Sequence, residues 1–175
     1  GDEPQHEELV QPVRVLVPTP AGSTPDMVAR MVTPGFTSFF GQQFIVDNRS
    51  GAGGMLGTEL AAKATPAAYT LVVGTPGTLT IMQYVQKDVP YDTLRDFTPI
   101  GLISVGPYLF VAHPSVPAKS VGEVIALAKA DPGKLTYGSA GNGSAMHMAA
   151  ELFKHLTKID FVHVPYRGGA PALTD

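Results

Sequence analysis

Val13-Arg-Val-Leu-Val-Pro-Thr-Pro-Ala-Gly-Ser-Thr-Pro-Asp-Met-Val-Ala-Arg30 is the stretch on which the fold turns. Its first five residues form a β-branched apolar run, the mark of a strand. Pro18, Pro20 and Gly22 then punctuate the chain as a turn. Ser23 and Thr24 are N-cap residue types, and Pro25 suits the first turn of a helix. Asp26 puts negative charge near the positive end of that helix. The stretch therefore reads as strand, tight loop, helix. Unpaired N–H groups beside small residues and hydroxyls suit an anion. A plain connection that binds nothing has the same local signature, so the rest of the chain has to decide.

The spacing repeats downstream. Phe44–Val46 and Tyr69–Val73 read as strands, with a helix over Met55–Ala64 between them. Met27–Phe40 has helical spacing but carries Thr33-Pro34-Gly35, where a kink or break is expected. Gly41 is placed to stop it. Leu79–Val85 reads as a short helix, Lys87–Thr98 as irregular, and Ile100–Ala112 as one or two strands. Ser120 and Glu123 form a capping box for a helix ending before Pro132-Gly133. Leu135–Tyr137 and Phe161–Val164 are further strands. Ala145–Leu156 is a helix with an apolar face on Met146, Ala149, Leu152, Phe153 and Leu156. From Ala172 a last helix begins. Strands alternating with helices imply an α/β fold with mostly parallel sheets.

Three loops follow predicted strands: Pro18–Asp26, Gly74–Thr78 and Ser139–Ser144. In open parallel sheets ligands bind beyond the carboxyl ends of the strands, so these loops are expected to share a cleft. Thr19, Ser23, Thr24, Thr75, Thr78, Ser139, Asn142 and Ser144 supply neutral hydrogen-bonding groups. Glycines let backbone N–H groups approach closely, and oriented amides hold a carboxylate without Arg or Lys. A neutral site releases its ligand readily, which suits a carrier more than a catalyst.

Composition narrows the alternatives. The net charge of −3 gives no footprint for nucleic acid. The absence of Cys excludes disulfides, thiolate nucleophiles and Cys-ligated zinc. No apolar run is long enough to span a membrane. Gly1–Glu8 is acidic and polar and is expected to fray. His113, His155 and His163 lack ligand spacing, so no metal site is expected. His163 reads as a strand-face residue, and His147 with Glu151 as a surface pair. Gly-Asn-Gly-Ser-Ala at 141–145 is not a nucleophile elbow, so no catalytic residue is assigned. Gly51-Ala-Gly-Gly-Met-Leu-Gly57 resembles a dinucleotide loop, but its last glycine comes one residue late. That enzyme reading, which would bring a nicotinamide cofactor, and a shortened interaction module without a small ligand are kept as alternatives; otherwise no cofactor is expected. Arg49 reads as an anion clamp or an anchor to loop carbonyls, and Arg167 as similar. Tyr166 either lines the cleft mouth or packs beneath its loop.

Several segments, in order, resemble the solute-binding proteins of tripartite tricarboxylate transporters, the TctC or Bug family. They are Val-Pro-Thr-Pro-Ala-Gly-Ser-Thr-Pro-Asp at 17–26, Val-Asp-Asn-Arg-Ser-Gly-Ala-Gly-Gly at 46–54, Tyr-Thr-Leu-Val-Val-Gly-Thr-Pro-Gly-Thr at 69–78, Tyr91-Asp92 with Asp96-Phe97, Pro114-Ser-Val-Pro-Ala-Lys119, Gly141-Asn-Gly-Ser144, Glu151-Leu-Phe-Lys154 and His163-Val-Pro-Tyr-Arg-Gly168. The resemblance implies a periplasmic-binding-protein-like (type II), two-lobed fold that closes on a small carboxylate and hands it to a membrane permease. It places a first lobe over 12–104, a second over 105–175, and a hinge within Ile100–Pro107. Implied ligand contacts are Pro20, Ala21, Gly22, Ser23, Thr24 and Asp26, partly through water, with Thr75, Thr78, Ser139, Gly141, Asn142, Gly143, Ser144 and Tyr166 from the facing loops. Ala145 and Met146 stand where the family usually carries hydroxyls. The family is also longer, so the chain is expected to be a fragment or a short form, with a second copy or swapped segment covering its exposed strands.

Overall fold

A computed structural model describes residues 11–66 and 69–175. The expected fraying of Gly1–Glu8 lies outside the described residues. Strand β1 (Val13–Val17) is the centre of a three-stranded parallel sheet, flanked by β2 (Phe44–Asn48) and β3 (Thr70–Val72). Val15 pairs with Val46 on one side and Leu71 on the other. A central parallel strand is covered on both faces, so it reads as a nearly continuous apolar run. Val13, Val15, Leu16 and Val17 are accordingly buried. The exception, Arg14, reaches sideways to the Asp47 carboxylate at 2.6 Å.

Helix α1 (Thr24–Phe40) packs Ala29 against Val15 and Val17. It runs unbroken through Pro34, so the helix does not break at Thr33-Pro34-Gly35. Pro34 and Gly35 sit on its exposed side, where the carbonyl a proline leaves free is open to solvent. Gly41 terminates it in the left-handed conformation, its N–H donating to the Thr37 carbonyl at 3.1 Å. A 3-10 turn, Ala52–Gly54, leads into α2 (Met55–Ala62). A π-type turn, Gly77–Ile81, leads into α3 (Met82–Val85), so this helical region starts before Leu79. The charged stretch after it is less irregular than expected. It contains α4 (Thr93–Asp96), capped by the Asp92 carboxylate, which accepts from the Leu94 and Arg95 amides.

The predicted strands of Ile100–Ala112 do not form. The segment is extended and exposed, and no strand lies beside it among the described residues. Without a neighbour, β-branched residues cannot make a ladder. After it comes α5 (Val121–Ala130). The Ser120 hydroxyl accepts from the Glu123 N–H, and the Glu123 carboxylate accepts from Lys119, one residue before the expected partner. Strands β4 (Thr136–Ser139) and β5 (Val162–Pro165) form a second parallel sheet. Val124, Ala128, Ile159 and Phe161 make its core. Helix α6 (Ala145–Thr157) adds Phe153 to that core, while Leu152 and Leu156 of its apolar face stay exposed. Helix α7 (Gly169–Thr174) ends the described chain.

Candidate functional site

The loop after β1 is shaped from within. Gly22 has φ +80°, a conformation that a side chain would strain. Its N–H donates to the Asp26 carboxylate at 2.8 Å. The same carboxylate accepts from Arg30 Nε at 3.0 Å and Asn48 Nδ2 at 2.9 Å. Asn48 Nδ2 also donates to the Thr19 carbonyl at 3.1 Å, and its oxygen accepts from Arg30. Burial pushes the Asp26 carboxyl up, but bonds from Arg30, Gly22 and Asn48 outweigh it and hold it below the usual carboxylate range. Asp26 is only 2% exposed, so it holds the loop rather than facing solvent. Ala21, Gly22 and Thr24 are exposed. The Ser23 hydroxyl caps no amide of α1; it pairs with Thr19 Oγ1 at 2.6 Å.

The other loops are largely self-satisfied. The Thr75 amide donates to Thr78 Oγ1 and the Thr78 amide to Thr75 Oγ1, at 3.1 and 3.2 Å. Thr78 is buried and Thr75 half-buried. Ser139 is fully buried; its hydroxyl meets His163 Nε2 at 2.7 Å and accepts from the Gly141 amide at 3.1 Å. The Ser144 hydroxyl caps α6 by accepting from the His147 amide, and the Gly143 amide donates to His147 Nδ1 at 3.2 Å. Asn142 alone of this loop is exposed, between buried neighbours.

These loops do converge. A Cβ at Gly54 would lie 2.5 Å from Thr78 Cγ2 and 3.0 Å from the Pro18 carbonyl oxygen. One at Gly53 would lie 2.6 Å from the Asn142 carbonyl oxygen, and one at Gly77 3.2 Å from the Ala145 amide nitrogen. One at Gly168 would meet Pro20 at 2.8 Å. Pro20, Gly22, Ser23, Thr24, Thr75 and Asn142 lie along an open concave surface that about half of the chain lines. Ser139, Gly141, Ser144 and Tyr166 also reach its wall, whereas Ala21, Asp26, Thr78 and Gly143 do not. Arg167 is the one Lys or Arg among the described lining residues.

The Gly51–Gly54 turn, which the sequence offered only as a dinucleotide-type loop, is in the fold a packing element between the loops. Gly53 packs against the Asn142 carbonyl, joining this turn to the 139–144 loop. Gly57 is likewise used for packing: its Cβ would fall 2.3 Å from the Arg49 carbonyl oxygen. Arg49 itself anchors to a carboxylate, Asp47 Oδ1 at 3.0 Å, rather than to loop carbonyls. Tyr166 donates its hydroxyl to Asp175 and presents its own carbonyl to Gly141.

The largest departure is beneath the third loop. Glu151 does not pair with His147; it accepts from the Tyr137 hydroxyl at 2.6 Å and Lys154 Nζ at 3.0 Å. Burial raises the Glu151 carboxyl, yet these bonds, with the charges of Lys154 and His147, hold it below the usual range. His147 instead stacks on His163, ring centroids 4.0 Å apart and 9° from parallel, and His163 stacks on Tyr137. Among the described residues no three His, Asp or Glu side chains gather as a metal cluster. No helix of the described residues is long and apolar enough to cross a membrane.

Compared with known proteins, residues 28–175 match the tripartite tricarboxylate transporter family receptor, TctC. The UPF0065 protein in the tcbD–tcbE intergenic region of Pseudomonas sp. strain P51 is 34% identical over 165 residues, 94% of this chain and 49% of that protein. The structure of R. palustris Rpa4515 with adipate is 37% identical with a TM-score of 0.91, over 95% of this chain and 56% of that one. MatC of Rhodopseudomonas palustris, solved with bound malate, is 33% identical with a TM-score of 0.88, over 94% and 56%. The chain spans about half the length of the curated relatives it matches. Over that span its α/β fold with parallel sheets is that of periplasmic binding proteins.

Proposed function

This chain belongs to the family of tripartite tricarboxylate transporter receptors, and on that premise we propose that it serves an extracytoplasmic solute-binding protein that captures a small carboxylate and delivers it to a membrane permease. It binds and carries; it catalyses nothing. The observation that carries the reading is the loop Pro20–Thr24. It is shaped by a buried Asp26, leaves its N-cap hydroxyl off the helix amides, and keeps Ala21, Gly22 and Thr24 exposed, while the loop packed on Gly53 exposes Asn142. The N-terminus of the 17-residue α1 adds a partial positive charge of roughly half a unit. Adipate and malate in two relatives make dicarboxylates the first ligands to try.

In this reading Pro20, Ala21, Gly22, Ser23 and Thr24 wrap the first carboxylate. Asn142, Thr75 and Tyr166 border the rest of the ligand. Asp26, Thr78, Ser139, Gly141, Gly143 and Ser144 keep the loops in shape. The lobes are 12–104 and 105–175, with the hinge in Ile100–Pro107, and closure is a rigid rotation that the bridging ligand stabilises. The exposed apolar run after Pro99 pairs with a second copy of the chain. A thermal-shift panel of small mono-, di- and tricarboxylates tests the capture. A ligand at 100 times its dissociation constant adds about 2.7 kcal/mol of stability. No shift with any member overturns the reading.

A further inference from the structure

His147 is placed to govern the third loop through one bond. The Gly143 amide donates to His147 Nδ1 at 3.2 Å. A backbone N–H only donates, so Nδ1 must carry its lone pair and the proton of a neutral ring sits on Nε2. Protonated imidazole has two N–H groups and no acceptor, so a charged His147 and this bond exclude each other. His163 is under no such constraint. Its Nε2 meets the Ser139 hydroxyl, which rotates to donate or accept, with the Gly141 carbonyl as its second acceptor at 3.3 Å.

We propose that His147 is the positioning residue of the 139–144 loop: neutral, it holds Gly143 and so presents Asn142 to the concave surface; protonated, it lets the loop go and carboxylate capture weakens. The ligand half of this rests on the carboxylate reading above; the loop half does not. His163 from the sheet stacks on His147, with Tyr137 stacked beyond it, and Glu151 of the same helix feels the charge of His147. Burial first, then the charge of His147, pushes His163 down. An attraction between the imidazolium and a bound carboxylate would act in the opposite sense, strengthening capture in acid. The sign of the pH dependence therefore separates loop release from simple charge attraction.

His147→Asn keeps an acceptor near the Nδ1 position but cannot titrate. Gly143 amide protection, corrected for intrinsic exchange, and adipate affinity are measured for both proteins from pH 8 to pH 5. In the wild type, protection is expected to fall in step with the protonation of His147, followed by its ring 15N shifts. Adipate binding is expected to weaken about tenfold, the usual worth of a single lost hydrogen bond. His147→Asn is expected to show neither change. Unchanged Gly143 protection as His147 titrates, or tighter wild-type binding in acid, overturns the proposal. So does a variant that follows the wild type. A wild type that takes up no adipate at either pH counts against the carboxylate reading, and the exchange data still decide the role of His147. If the variant does not fold, the wild-type shifts and protection decide it by themselves.

Discussion

The α-carbon of Gly53 faces the carbonyl oxygen of Asn142 so closely that a methyl group there would stand 2.6 Å from it. This contact joins a turn after β2 to the loop after β4. Gly53 also has φ +67°, which costs any L side chain about 1–2 kcal/mol. Gly53→Ala is therefore expected to destabilise the chain by ~2 kcal/mol or more, strain and overpacking together. Urea denaturation measures it, with a fall in melting temperature of about 3 °C per kcal/mol at this size.

Asp26→Asn tests what shapes the first loop. An amide in place of the carboxylate sets one donor against the donors of Gly22, Asn48 or Arg30. A loss of about 2 kcal/mol is expected, in the range for hydrogen bonds to a charged group, because Arg30 is half-exposed and regains water. The pH dependence has a definite sign. The folded-state value lies below the unfolded one, so this stabilisation is present above about pH 4 and is lost as pH falls through the folded value. Acid denaturation curves of the variant are expected to be flatter than the wild type's below pH 4, by about one bound proton.

Much of this architecture is local and could be read from the chain. Val13–Val17, the Ser23-Thr24-Pro25 helix start, the Gly41 stop and the Ser120–Glu123 box act within a few residues, and each marks its boundary, although the Ser23 hydroxyl turns to Thr19 and Glu123 takes the Lys119 amide instead of that of Ser120. What was hidden depends on partners far along the chain. The direction of the Asp26 carboxylate is set by Asn48. Thr78, Ser139 and Ser144 carry hydroxyls suited to a ligand, yet folding engages them with Thr75, His163 and His147. The β-branched run after Pro99 signals strands, but a strand needs a neighbour. His147 and Glu151 share a spacing typical of pairs, and the sheet behind them supplied better partners to both.

His163 gives a second pH effect at milder acidity. Burial and neighbouring positive charge lower its folded value beneath the ordinary 6.5. The unfolded chain then binds more protons between the two values, so stability falls as pH drops through that window. Denaturation midpoints at pH 7.5 and 5.5 measure it. His163→Gln, which keeps a partner for Ser139, is expected to be less stable at pH 7.5 because it loses the rings stacked on either side. Its change between the two pH values is expected to be smaller than the wild type's.

Leu102, Val105 and Leu109 are 81–85% exposed on an unpaired, extended segment. Such a run is a template for strand pairing between chains. Light scattering after size exclusion is expected to show a dimer at high concentration. Val105→Lys with Leu109→Lys is expected to give a monomer, with unfolding free energy unchanged within about 0.5 kcal/mol because neither side chain is buried.

The most direct test of carboxylate capture is an amide-resolved NMR titration with adipate. Shifts that grow and saturate together at Ala21, Gly22, Thr24 and Asn142, leaving Leu127 and Lys129 on α5 unmoved, are the predicted result. Saturating shifts confined to other surfaces, or none at any concentration of adipate, malate or a tricarboxylate, would contradict it.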